Sequence, residues 1–245
     1  MRFYAAGTGE TRSAANLMRQ ARAWADEETR LEVVRRLYSL RFQEPLDAGL
    51  SLQQIRGREG VRVRDAYARA SRTTGVPWRG RDYKRKDWEE GDVINRALSA
   101  ANASLYGVAH AAIVALGYSP GLGFIHTGKQ LSFVYDVADV YKVETTIPTA
   151  FAAVAAGNRD VESRVRTALR ESFRDCALLG RIVKDLDALF EGVEAVAPSA
   201  DAAETDAYAD DAALPGELWD PQANVEGGIS YGRDGVGEGS EEPSR

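Results

Sequence analysis

The apolar residues of this chain recur every three or four positions from about residue 11 to residue 191, and nowhere do they alternate as a β-hairpin requires. That periodicity confines the fold to the mainly α class, with helices packed on helices around one core. Residues 11–25 make a first helix. Residues 28–44, "ETRLEVVRRLYSLRFQE", place Leu31, Val34, Leu37 and Tyr38 on one face and stop before Pro45. Residues 51–73, "SLQQIRGREGVRVRDAYARASRT", start from Ser51 as N-cap and carry a stripe of Leu52, Ile55, Val63, Ala66 and Ala70. A loop rich in Gly, Pro and Trp follows. Asp92 then caps a long small-residue helix over 93–117, which "GYSPGLGF" breaks. Further helices are expected at about 132–142, 147–156 and 160–191. Only "MRFYAAG" at the start reads differently, as the end of a strand entering a turn.

Charge divides the chain in two. Residues 196–245 hold six Asp, six Glu and two Arg, which is −10 out of a total of −6, so the first 195 residues carry +4. With seven glycines and no amphipathic period, this acidic tail is expected to be disordered. Its one apolar patch, Leu214 to Trp219, is a candidate docking peptide. The single cysteine, Cys176, forbids an internal disulfide, and the N-terminus has no apolar leader; both fit a cytoplasmic, reducing location. Residues 97–118 are apolar enough to raise the question of a membrane span. Their many alanines, with Ser99, Asn102, Ser104 and His110, read instead as a buried helix, so a soluble chain is expected.

One carboxylate lies on an apolar stripe. Glu59 stands four residues after Ile55 and four before Val63, so helical spacing turns all three inward. An unpaired charge there is costly, and either a neighbouring arginine or a bound cation would relieve it. Gly57 and Gly60 flank it, each costing ~1 kcal/mol relative to Ala in a helix interior. Such glycines point to the close approach of another backbone or a ligand. In "GFIHTGKQLSFVYDVADVYK", residues 123–142, His126 comes from a glycine-flanked loop, and Asp136 and Asp139 follow at i and i+3 of the next helix. One imidazole with carboxylates is a mixed N/O donor set that suits Mg²⁺ or Mn²⁺ better than structural Zn²⁺. His110, mid-helix among alanines, reads as packed rather than as a ligand.

From Arg56 to Lys86 there are eleven Lys or Arg against three acids, a local +8, with Tyr67, Trp78 and Tyr83 interleaved and Trp88 following. Cations bind phosphates and aromatic rings stack on bases, so a basic apron beside a metal carboxylate suits a polyanionic substrate. The chemistry this combination serves is phosphodiester cleavage or strand transfer. A His-Asp phosphohydrolase is excluded, because the chain has two histidines and no His-Asp dipeptide.

The segments "DEETRLEVVRRLYSLRF", "QIRGREGVRVRDAYA", "KDWEEGDVINRALSAANASLYGV" and "GYSPGLGFIHTGKQLSFVYDVADVYK" occur in the order and at the spacing of the CRISPR spacer-acquisition integrases, the Cas-one family. The chain resembles subtype I-E over residues 2–192. The resemblance implies a helical catalytic domain over 11–195, preceded at 1–10 by the remnant of an N-terminal β-domain that builds the family's homodimer, and followed by the tail at 196–245. It implies a metal site of Glu59, His126 and Asp139 with Asp136 beside them. It also implies phosphate contacts from Arg56, Arg64, Lys129 and Lys142, and a DNA path lined by Tyr83 and Tyr106. The implied reaction is attack of a 3′-hydroxyl of a captured duplex on a phosphodiester of the repeat array, or cleavage when water attacks. The implied partners are double-stranded DNA and the system's second adaptation protein. Either the start is misassigned or the chain is a genuine fragment, and for these 245 residues weak or no integration is expected. The competing reading is a truncated helical DNA-binding remnant without catalysis.

Overall fold

Asp26 ends one helix and begins the next. It is the C-cap of α1 (Ala15–Ala25) and the N-cap of α2 (Glu27–Phe42), where its side chain accepts the Thr29 N–H at 2.8 Å. That contact pulls the Asp26 carboxyl below its ordinary pKa, with the Thr29 hydroxyl the larger cause. The structure, a computed structural model, describes residues 14–81 and 93–194. The expected strand end at 1–7 with the β-domain remnant at 1–10, the Asp92 cap, Tyr83, Trp88, the lysines at 84 and 86, and the tail at 196–245 lie outside the described residues.

Six more helices follow: α3 (Leu52–Thr74), α4 (Val93–Ala115), α5 (Ser132–Tyr141), α6 (Thr146–Ala155), α7 (Val161–Asp175) and α8 (Leu178–Leu189). No strand occurs among the described residues, and the fold is mainly helical as expected. Ser51 caps α3 in a full capping box: its hydroxyl accepts the Gln54 N–H, and its own N–H donates to Gln54 Oε1 at 2.8 Å. Gly117, at φ 77°, closes α4 in a Schellman turn, with Tyr118 N–H donating to Ile113 O and Gly117 N–H to Val114 O.

Helix α4 is the spine. Its small buried residues let α5, α6, α7 and α8 approach closely. Ile94, Ala97, Leu98 and Ala101 join one apolar cluster with Ile147, Phe151, Val165 and Leu169. Leu105, Ala109, Ala112 and Ile113 join a second with Leu37, Phe133, Tyr141 and Leu186. Although α4 is long and apolar enough to cross a membrane, its buried stripe is spent on these two clusters.

Two expectations differ from the fold. Leu31 is exposed; the face that α2 buries is Val33, Val34, Leu37, Tyr38 and Arg41. The helix expected over 160–191 is two, α7 and α8, separated where Ala177 adopts left-handed backbone at φ 47°. Each carries its own buried stripe, Val161–Val165–Leu169 and Leu178–Ile182–Leu186–Leu189.

Candidate active site

Asp136 is wholly buried on α5, and its carboxylate is met by groups from the turn before that helix. Its Oδ2 accepts the N–H of Phe124 at 2.6 Å and of Ile125 at 3.0 Å. Its Oδ1 accepts the N–H of His126 at 2.8 Å and faces the ring Nδ1 of His126 at 2.7 Å. A carboxylate oxygen accepts, so Nδ1 is the ring's donor to Asp136 and Nε2 is the nitrogen turned toward Asp139. Asp136 therefore differs from the second cation-facing carboxylate that its spacing suggested. It is the positioning residue that fixes the imidazole's rotamer and tautomer.

The turn itself is wedged in place. A Cβ on Gly123 would lie 2.2 Å from the carbonyl oxygen of His126 and 2.7 Å from Ser132 atoms, so only glycine fits there. From α1, the fully buried Gln20 donates to the carbonyls of Ser119 and Leu122, both at 3.0 Å, and accepts the Ser119 N–H at 2.7 Å. Trp24 Nε1 donates to the Gly123 carbonyl at 3.1 Å. These two residues went unread in the sequence. Their signal was a polar face on α1 at four-residue spacing, Asn16, Gln20 and Trp24.

One turn along α5, Asp139 faces the site. Its Oδ2 lies 3.8 Å from His126 Nε2, and its Oδ1 is 2.5 Å from Lys142 Nζ. Lys142 also lies over the Tyr106 ring at 4.9 Å, and Tyr106 packs edge-on against Tyr135, which in turn faces His126. Burial pulls the Lys142 ammonium down, but Asp139 and Tyr106 together hold it above its ordinary value, so it stays charged.

Glu59 points inward as its stripe required; its side chain is 13% exposed. It meets arginine. Arg62, one turn on, forks both oxygens, with Nε to Oε2 at 2.8 Å and Nη2 to Oε1 at 3.1 Å. Arg41 stands on the other side, 3.8 Å from Glu59 Oε1 and 3.5 Å from Asp139 Oδ2. Arg41 is only 4% exposed, donates to the Asp136 carbonyl oxygen at 3.3 Å and lies over the Tyr38 ring. It is the buried cation that joins the α3 side of the site to the α5 side, and it too went unread. Among the described residues no three of His, Cys, Asp and Glu converge as a closed metal cluster. His126 and Asp139 come together; Glu59 reaches them through Arg41. Two carboxylates (Glu59, Asp139) are paired with three cations (Arg41, Arg62, Lys142) beside His126.

A family model described as CRISPR associated protein Cas1 matches residues 11–170, which contain every one of these groups. The chain belongs to the Cas1 family. The CRISPR-associated endonuclease Cas1 2 of Thermus thermophilus is 58% identical over 242 residues, 99% of this chain and 73% of that protein. The CRISPR-associated endonuclease Cas1 of Escherichia coli K12 is 45% identical over 204 residues, covering 82% of this chain and 67% of that protein. A crystal structure of a TtCas1–DNA complex superposes with a TM-score of 0.76 at 56% identity, covering 94% of this chain and 76% of that one.

The residues that the Cas1 likeness implies for DNA fall into two groups. Arg56 and Arg64 on α3 and Lys129 on the turn are exposed. Lys142 and Tyr106 are partly buried and engaged with Asp139 and with each other. Two aromatic residues of the basic run serve the fold instead: Tyr67 and Trp78 stack at 4.4 Å, and both meet Phe151. No chain atom approaches the added Cβ of Gly57 or Gly60 within 4 Å, so neither glycine makes room for another part of the described chain.

Proposed function

We propose that this Cas1 chain, of subtype I-E, is a metal-dependent DNA endonuclease and integrase of CRISPR adaptation. The observation that carries the reading is the His126 imidazole, locked by Asp136 so that Nε2 faces Asp139 Oδ2 at 3.8 Å. The His126 ring nitrogen and the Asp139 oxygen would hold a hard cation, with Glu59 as the third donor from α3. A bound Mg²⁺ or Mn²⁺ lowers the pKa of an attacking hydroxyl or water and neutralises charge on the phosphorus.

The chain's own residues do the rest. Asp136 receives the Nδ1 side of the His126 ring, so Nε2 is the nitrogen left to face a cation. Lys142 keeps its charge beside Asp139 and offers it to a phosphate oxygen. Arg56, Arg64 and Lys129 hold the duplex by its phosphates, and Tyr106 and Tyr83 line its path. The 3′-hydroxyl of a captured duplex would attack a phosphorus of the repeat array, giving up its proton and forming a new phosphodiester. The array strand's P–O3′ bond breaks and its 3′-oxygen leaves as a hydroxyl; in cleavage water attacks in place of the captured 3′-hydroxyl and leaves a 5′-phosphate. Function as a homodimer with the system's second adaptation protein belongs to the same reading.

The test is cleavage and strand transfer on branched and linear duplexes with Mg²⁺ or Mn²⁺. Wild-type protein cuts or joins, His126→Ala does neither, and both bind DNA alike. DNA binding without metal-dependent chemistry in the wild type would leave a non-catalytic helical DNA-binding protein.

A further inference from the structure

We propose that Arg62 is a latch on Glu59, one that ties loading of the divalent ion to arrival of a phosphate backbone. This rests on the reading of Glu59, His126 and Asp139 as the ion's ligands. His126 and Asp139 already face each other, so what the ligand set lacks is Glu59. What holds Glu59 is the Arg62 fork, which occupies both of its oxygens at 2.8 and 3.1 Å. A guanidinium in that geometry is a close competitor for a carboxylate.

The two arginines on Glu59 differ in freedom. Arg41 is enclosed, with its guanidinium committed to two carboxylates, the Asp136 carbonyl and the Tyr38 ring. Arg62 is 22% exposed, its guanidinium 5.9 Å from the Phe42 ring. It belongs to the same helix as the exposed Arg56 and Arg64. A phosphate offers Arg62 the same two-oxygen geometry that Glu59 offers. When the phosphate takes Arg62 and the cation takes Glu59, every charge keeps a partner. When only one ligand arrives, either Glu59 loses the fork and keeps only the longer pair with Arg41 at 3.8 Å, or Arg62 loses its carboxylate. Each ligand removes the other's competitor, and linkage makes the effect equal in both directions.

The experiment is titration of Mn²⁺ into the full chain by calorimetry, alone and with a saturating short duplex, corrected for Mn²⁺ binding to the duplex itself. In wild type the duplex tightens Mn²⁺ by about tenfold or more, and Mn²⁺ tightens the duplex by the same factor. Arg62→Gln binds Mn²⁺ more tightly than wild type without DNA, and its coupling falls toward unity. Arg62→Lys, which keeps the charge but loses the fork, lies between, and it serves if the Gln variant melts early. Equal wild-type affinities with and without duplex, or full coupling in both variants, would overturn the latch and leave the metal reading standing. If wild type binds no Mn²⁺ in either state, or His126→Ala binds it as well as wild type, the metal reading falls and the latch falls with it.

Discussion

On the α5 side of the site hydrogen bonds to backbone hold the groups behind His126: Asp136 takes three backbone N–H groups and the His126 ring, and α1 clamps the same turn through Gln20 and Trp24. On the α3 side, among the described residues, Glu59 is held by the guanidinium groups of Arg62 and Arg41, between two glycines whose added Cβ meets no atom within 4 Å beyond the helix's own adjacent backbone. Both sides belong to one site, and they are held by different physics. Buried hydrogen bonds to backbone fix a geometry, because breaking any of them strands a polar group out of water. Ion pairs at a partly open edge can exchange one partner for another of like charge. The molecule therefore presents one rigid jaw and one exchangeable jaw, and substitutions on the two should part stability from activity in opposite ways.

Asp136→Ala breaks the rigid jaw and has the largest effect. Three N–H groups lose their acceptor, and His126 loses the contact that sets its tautomer. We expect a loss of about 3–5 kcal/mol in denaturant unfolding, together with loss of metal-dependent cleavage. If Asp136→Ala melts like wild type, the jaw is not held as described. Gly123→Ala attacks the same jaw through the backbone. Its Cβ meets the His126 carbonyl at 2.2 Å, and the turn has to shift, at about 1–3 kcal/mol. Cleavage should fall along with stability, measured on the same sample.

Glu59→Gln sharpens the contrast from the other side. Arg62 can turn to water, and Arg41 keeps Asp139, the Asp136 carbonyl and the Tyr38 ring, so the fold loses about 1–2 kcal/mol. Activity should nevertheless be lost, with DNA affinity retained. Loss of DNA binding in parallel would mean that Glu59 shapes the binding surface instead of the chemistry.

How much of this was legible follows the same division. Helix periods were plain, and so was the inward turn of Glu59 between Ile55 and Val63. The break between α7 and α8 was legible too: from Leu169 to Leu178 is nine residues, which at about 100° per residue puts the second stripe half a turn away from the first. One straight helix cannot bury both. Arg41 carried the signal that Glu59 carried, since it continues the stripe of Val34, Leu37 and Tyr38. A buried cation and a buried carboxylate on neighbouring helices could have been matched from spacing alone. The role of Asp136 was not legible. Helical spacing places Asp136 and Asp139 on one side of α5, but which of them a turn's backbone will fill depends on the path of residues 118–131, and that path is set by contacts from α1.

The smallest effect should come from Gly60→Ala, and its sign is the informative part. In an exposed helix interior, glycine costs ~1 kcal/mol relative to alanine through backbone entropy. At Gly123 that penalty is forced by the chain's own atoms. At Gly60 no described residue beyond the helix's own adjacent backbone supplies an atom within 4 Å, so alanine should raise stability by about 1 kcal/mol, a melting shift of about 2–4 °C for a chain this long. A helix that keeps such a glycine beside its exposed arginines leaves room there for a ligand's backbone. Gly60→Ala should therefore melt later and bind duplex more weakly by fluorescence anisotropy, in contrast to Gly123→Ala, which loses both stability and cleavage. A Gly60→Ala protein with tighter folding and unchanged duplex affinity would remove α3 at that position from the DNA path, and would leave the glycine without a physical reason in the free protein.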